Sequence, residues 1–263
     1  MKMYQETSYL IAVETKEPLF EGMYINSEEP SISFRTAKYG EKRLLLVGGM
    51  KHKTGAKIDL QNSYKNLEEV AKQIYSDSKI LFRWNTEDCI SLDKIPYIGE
   101  FSTLWPNVYV GTGYKKWGMT SSNVAANIIV DKILEIENPY EEVFRATRLK
   151  PIKNYEELGN ILKEVGYSAI INKIEKIDEY VKDVKQGEGK IVEIEGKKIG
   201  VYRDKKGKVY AVKPYCTHLG CELSWNNLEE TWDCPCHGSR FTYEGKSIYD
   251  PSIKDLERIN IKT

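Results

Sequence analysis

The apolar positions of this chain follow a strand period, then a helical one, and later a strand period again. Residues 9–14 and 43–47 predict strands, whereas residues 66–75 carry Leu67, Val70, Ala71 and Ile74 along one face of an amphipathic helix. Residues 107–110 predict a buried strand running into a glycine-rich loop. Val124, Ala125, Ile128, Ile129 and Ile133 then continue as a helix, capped from the Ser121-Ser122 pair. Lys150-Pro151 closes this part. Beyond it, Asn154 can cap a helix bearing Tyr155, Leu158, Ile161, Leu162 and Val165, and Ile170, Ile174, Ile177 and Val181 continue an amphipathic pattern toward Gly187. These stripes predict a connector. From residue 190 the pattern becomes that of hairpins, with strands at 190–195 and 198–203, a turn at 204–207, a strand at 209–212 and a further hairpin at 241–246. The organisation expected is a mixed α+β domain at 1–150, a helical connector at 151–186 and a small antiparallel β domain at 187–263.

Composition narrows the function classes. A length of 263 residues suffices for two compact domains, and 39 Lys+Arg balance 39 Asp+Glu, so nothing favours nucleic acid. The Lys-rich stretch 182–190 reads as solvated surface. The first residues have neither an uninterrupted apolar core nor a twin-arginine pair, and no later run is long enough to span a membrane. A cytoplasmic location is expected.

The chemistry is concentrated near the C-terminus, in Cys216-Thr217-His218-Leu219-Gly220-Cys221 and Cys234-Pro235-Cys236-His237-Gly238-Ser239. These loops hold four of the five cysteines and two of the three histidines. Two thiolates and two imidazoles suit a metal centre. Structural zinc also uses Cys and His in pairs, but its usual first knuckle separates the ligands by two to four residues, whereas Cys216 and His218 have one between them. Zinc also gives no reason for the second pair of cysteines.

Both loops closely resemble those of the Rieske domains of cytochrome bc-type complexes and their soluble relatives. The resemblance implies a 2Fe-2S cluster, with Cys216 and Cys234 on one iron and His218 and His237 on the other, the neutral imidazoles raising the reduction potential. It also implies a disulfide between Cys221 and Cys236, which clamps the loops and is a local exception to the reduced cytoplasm. Ser239 matches the family serine that donates a hydrogen bond to a cluster sulfur. Where the family has a sulfur-bonding tyrosine this chain has Phe241, and Tyr249-Asp250-Pro251 stands where a proline loop covers the cluster.

A second resemblance lies upstream. Ser91-Leu92-Asp93-Lys94-Ile95-Pro96-Tyr97-Ile98-Gly99 and the strand-loop-helix run from Asn107 to Thr120 are similar to the C-terminal part of D-amino-acid-oxidase-like flavoproteins. One branch of that family carries a Rieske domain after the oxidase-like fold. The implied architecture is the C-terminal half of an FAD-oxidoreductase-like α/β fold followed by a Rieske domain. In the family the glycine loop packs on the isoalloxazine ring, so Gly111, Gly113, Lys116, Trp117, Gly118, Met119 and Thr120 are the implied flavin contacts. A glycine loop feeding a helix N-terminus does offer free N–H groups to an electron-rich ligand edge. The G-x-G-x-x-G fingerprint that holds the ADP part of FAD has no match here, so FAD binding by this chain alone is expected to be weak or absent. A separate chain supplying that half, or a truncated product of a longer gene, would each account for this.

Three classes of function follow: a flavin-coupled oxidoreductase module acting on an amine- or amino-acid-like substrate, a stand-alone electron carrier with a vestigial flavoprotein segment, and a non-catalytic iron-sulfur protein. A Rieske oxygenase needs a further iron on two histidines and a carboxylate, and only His52, read as a surface loop residue, is left over. A membrane-anchored quinol-oxidising subunit lacks its anchor helix here. Cys89 reads as a packing residue. No acid–base pair stands out, so no catalytic residue is assigned and the redox partner is not identified.

Overall fold

The computed structural model describes residues 3–56, 60, 62–148, 181–194 and 196–260. The connector helices expected at 154–177 lie outside the described residues. Contacts divide the described chain into two units, residues 3–6 with 88–148 and residues 7–87 with 181–260. Two strands, β1 (Met3–Glu14) and β5 (Lys79–Ser91), contribute to both.

In the unit holding 7–87, β2 (Met23–Ile25), β3 (Ser33–Tyr39) and β4 (Lys42–Lys53) form antiparallel pairs in a sheet of order β2-β3-β4-β1-β5. Alternation sets the buried face: Tyr9, Ile11 and Val13 from β1 meet Leu45 and Val47 from β4. Against them lies α1 (Ser63–Ile74), through Tyr64, Leu67 and Ala71, with Tyr75 just beyond. The helix starts earlier than its periodicity indicates. Tyr64 therefore extends the Leu67–Ala71 stripe by one turn toward the N-terminus, Val70 is partly buried against the same core, and Ile74 is exposed.

The same unit contains two small sheets built from the C-terminal residues. β8 (Glu188–Ile194), β9 (Lys197–Arg203) and β10 (Val209–Val212) form one antiparallel sheet, as the hairpin pattern predicts. β11 (Ser224–Asn226), β12 (Thr231–Asp233), β13 (Arg240–Thr242) and β14 (Ser247–Tyr249) form the other. Val184, Val192, Ile199, Val201 and Ala211 make the core of the first. Trp232 pairs with Phe241 in the second, and both are fully buried. Close packing needs glycine at 189, where a Cβ would lie 2.3 Å from the Trp225 ring.

The other unit contains the hairpin β6 (Tyr97–Ser102) and β7 (Trp105–Thr112), with α2 (Gly118–Ile133) and the short α3 (Glu141–Phe144). Ile98, Ala125 and Ile128 form its small core. Arg148 is buried and ties this unit together: it grips Asp93 through Nε and NH2 at 2.8 Å each and donates to the carbonyls of Ile95, Pro96 and Phe144. Two expectations are corrected here. Among the described residues β7 pairs with β6, and it is largely exposed rather than buried, with Tyr109 and Val110 half-buried. The helix begins at Gly118 with Trp117 at its N-cap and no side-chain cap, so Ser121 and Ser122 lie within it, and Ser122 Oγ donates back to the Met119 carbonyl.

Candidate metal centre

The two loops nominated in the sequence are built alike. In the first, Cys216 N–H donates to the Cys221 carbonyl at 2.8 Å and Gly220 N–H to the Cys216 carbonyl at 2.8 Å. In the second, Cys234 N–H donates to the Ser239 carbonyl at 2.8 Å and Gly238 N–H to the Cys234 carbonyl at 3.0 Å. Each is thus a six-residue loop closed by the same two bonds, with a left-handed glycine at its fifth position, φ +76° at Gly220 and +82° at Gly238. The histidines sit at the third and fourth positions respectively, yet their rings meet edge to face with centroids 4.9 Å apart.

Cys221 and Cys236 are joined as a disulfide, which fastens one loop to the other. Cys216 and Cys234 are free and almost fully buried. The Sγ atoms of Cys221, Cys234 and Cys236 lie within 4.8 Å of one another, but two of the three are spent in the disulfide and offer no thiolate. A hydrogen bond from Cys234, together with the His218 and Leu219 amides and the Ser239 hydroxyl, brings the Cys216 thiol down to about 6. The same contact with Cys216, and then burial, push Cys234 up. Burial, with His218 beside it, lowers the His237 imidazole and keeps it neutral, as a metal ligand requires. His237 Nδ1 is buried without a hydrogen-bond partner. Buried polar atoms are rarely left so, and this donor set of two sulfurs and two imidazoles fits a Rieske cluster.

A third segment packs on both loops. Asp250-Pro251 leads into Ser252, whose N–H donates to Ser239 Oγ at 3.0 Å, while Thr217 Oγ1 donates to the Lys254 carbonyl at 2.6 Å. Ser239 is wholly buried between this segment and Cys216. Phe241 lies in the core of the second sheet with no hydroxyl to offer. Lys198 and Glu222 form a buried ion pair at 2.9 Å that links β9 to the residue after Cys221.

The residues nominated for a flavin fall on one loop of the other unit. Gly111 is the penultimate residue of β7, where a Cβ would lie 2.4 Å from the Tyr114 hydroxyl, Gly113 has φ +75°, and Lys116, at φ 70°, lies 4.0 Å from Glu6 and 3.9 Å from Asp88. Gly118, Met119 and Thr120 form the first turn of α2, whose N–H groups have no side-chain cap, and Trp117 and Met119 are exposed. Cys89 is half-buried in β5 and donates to Gln5 Oε1 at 3.5 Å. His52 lies in β4 rather than a loop and stacks on Tyr9 with centroids 5.7 Å apart.

Sequence reasoning missed a buried polar cluster next to the second loop. Arg240 lies between Asp233 and Glu87, with Nε 3.0 Å and 3.3 Å from them. Its signal was present only as charged residues flanking Ser239 and Cys234, and charge in a chain this rich in it reads as surface.

Comparison with known proteins gives two domain matches: FAD dependent oxidoreductase over residues 1–132 and Rieske 2Fe-2S domain over residues 176–260. A Bacillus subtilis protein described as a Rieske 2Fe-2S iron-sulfur protein, YhfW, is 40% identical over 260 residues, covering 99% of this chain and 51% of the relative. The cytochrome b6-f complex iron-sulfur subunit of Chlorobaculum tepidum is 38% identical over 80 residues, 30% of this chain and 44% of that one. The chain thus spans about half the length of the curated relatives it matches. Among solved structures, glycine oxidase from Geobacillus kaustophilus is similar at 18% identity and a TM-score of 0.47, over 57% of this chain and 40% of that one. The chain belongs to the FAD dependent oxidoreductase family and carries a Rieske 2Fe-2S domain after that part.

Proposed function

We propose that the chain is the electron-transfer part of a flavin-coupled oxidoreductase, with Cys216 and Cys234 holding one iron of a Rieske cluster and His218 and His237 the other. The observation that carries this is the meeting of two identically closed loops, which bring a buried thiol pair and a facing imidazole pair together. The cluster, when bound, supplies a one-electron donor and acceptor. The chain's own residues position it. The disulfide fixes loop to loop, Ser239 directs its hydroxyl at the Cys216 sulfur, and the 250–254 segment closes over both.

On the flavin side, Gly111, Gly113 and the first turn of α2 would receive the ring edge. The pyrophosphate would be held elsewhere, and a partner chain carrying a dinucleotide-binding half suits the exposed apolar residues around that loop, Trp105, Trp117 and Met119 among them. A substrate of the amine or amino-acid class rests on the family alone.

The test is the content of iron, acid-labile sulfide, zinc and flavin per purified chain, with the electron paramagnetic resonance spectrum of the reduced protein. Two irons and two sulfides per chain with a Rieske spectrum are expected, and loss of both in Cys216→Ser and His237→Ala. Zinc in their place overturns the reading. Iron without flavin identifies an electron-transfer module that needs a partner, whereas stoichiometric flavin means that the glycine loop suffices and the chain should be assayed as an enzyme.

A further inference from the structure

The cluster loops are attached to the five-stranded sheet by contacts that cluster ligation does not require. A Cβ built on Gly55, just past the end of β4, would lie 2.5 Å from Pro235 N, 2.7 Å from Pro235 Cα and 2.8 Å from the Cys234 carbonyl carbon. All three are backbone atoms of the second cluster loop, so no side-chain rotation could make room. Gly55 also has φ +74°, a conformation that glycine adopts without strain.

On the other side of the loop, Arg240 follows Ser239 and is buried. Its NH1 donates to Asn85 Oδ1 of β5 at 2.6 Å, its Nε to Asp233 Oδ1 at 3.0 Å and its NH2 to Thr231 Oγ1 at 3.1 Å. Asp233, which precedes Cys234, also accepts from Asn226 at 2.9 Å and Thr231 at 2.8 Å, so the guanidinium is held in a network of side-chain bonds. Two more bonds span the same contact: Tyr64 to Glu229 at 2.9 Å and the Tyr249 hydroxyl to the Glu87 carbonyl at 3.4 Å.

We propose that Gly55 and Arg240 are positioning residues that make the cluster loops a fixed part of the oxidoreductase sheet, so that this sheet sets the environment in which the cluster takes and gives electrons. The inference rests on the ligand assignment above. Its physical basis is that the second shell and solvent access of an iron-sulfur cluster tune its potential. Gly55, packed on the Cys234–Pro235 backbone, and Arg240, bonded to Asp233 and Asn85, supply that shell around the second loop. Electron transfer then occurs from a cluster held at one place in the sheet rather than from a domain free to move.

The experiment compares four forms of the whole chain: wild type, Gly55→Ala, Asn85→Ala and Gly40→Ala. Gly40 serves as the control because it too is left-handed, at φ +58°, yet a Cβ there meets nothing within 4 Å. The measurements are the reduction potential, the linewidth and g-values of the reduced cluster, and amide hydrogen exchange of residues 234–239. Gly55→Ala is expected to shift the potential, broaden the spectrum and speed exchange in the second loop. Asn85→Ala is expected to do the same to a smaller extent, and it decides the matter alone if Gly55→Ala does not fold. Gly40→Ala should match wild type. A loaded wild type whose Gly55→Ala and Asn85→Ala variants share its potential, spectrum and exchange overturns this inference alone, as does an equal change in Gly40→Ala. A wild type that takes up no cluster overturns the ligand assignment and this inference with it.

Discussion

Ser239 shows how much one hydroxyl can control. It is wholly buried, accepts the Ser252 amide and can direct its own proton only toward the Cys216 sulfur. A hydrogen bond to a sulfur stabilises the reduced, more negative cluster, so Ser239→Ala should lower the reduction potential. Phe241→Tyr should raise it, by restoring a donor where the family has one. Protein-film voltammetry on the two variants checks both signs, and a Phe241→Tyr protein whose potential stays put contradicts the account. Glu87 offers a different test. Burial pushes its carboxyl up to about 8, only partly offset by Arg240, and neither of its oxygens accepts a hydrogen bond. The folded chain therefore binds this proton more tightly than the unfolded chain. The resulting stability is complete below the ordinary carboxylate range and is lost as pH rises from there through about 8. Glu87→Gln, neutral at every pH, should flatten that decline in urea melts recorded between pH 5 and 9.

At the scale of elements, the repeated loop was the most legible feature because its chemistry is local. A cysteine, a histidine and a glycine within six residues specify a turn, its closing bonds and a donor set together. The C-terminal hairpins were legible for the same reason, since alternation and a glycine turn are neighbours in sequence. What escaped depends on contacts between distant residues. The stripe on α1 runs one turn further back, to Tyr64, and stops short of Ile74, because where the sheet meets the helix was not visible in the helix's own period. The apolar run of β7 predicted burial, but burial also needs a covering layer, and the strand stays largely exposed, with Tyr109 and Val110 half-buried. Arg240, Asp233 and Glu87 read as surface charges because nothing near them in sequence says that they meet. Leu67, fully buried between sheet and helix, checks the corrected stripe: Leu67→Ala should cost ~2–5 kcal/mol in denaturant unfolding, and Ile74→Ala much less.

At the scale of the molecule, buried and uncovered apolar residues occur in both units. Around the metal centre, Trp232, Phe241 and Leu223 are sealed, and both free thiols are nearly so. In the unit that carries the glycine loop, Leu104, Trp105, Trp117, Met119, Ile133 and Leu134 all lie largely open to water. Single exposed apolar residues are ordinary, but several on one hairpin and one helix are the kind of side chain that a partner would cover. On the function proposed above, what covers them is a domain bearing the rest of the FAD site. The chain on its own should therefore self-associate in a concentration-dependent way, by light scattering, while keeping its cluster. Replacing Met119 and Ile133 with serine should reduce that association without changing the spectrum of the cluster, because neither residue belongs to the unit that holds it. A wild-type chain that stays a monodisperse monomer at high concentration would mean that this surface needs no cover, and the case for a flavin-bearing partner would lose its structural support.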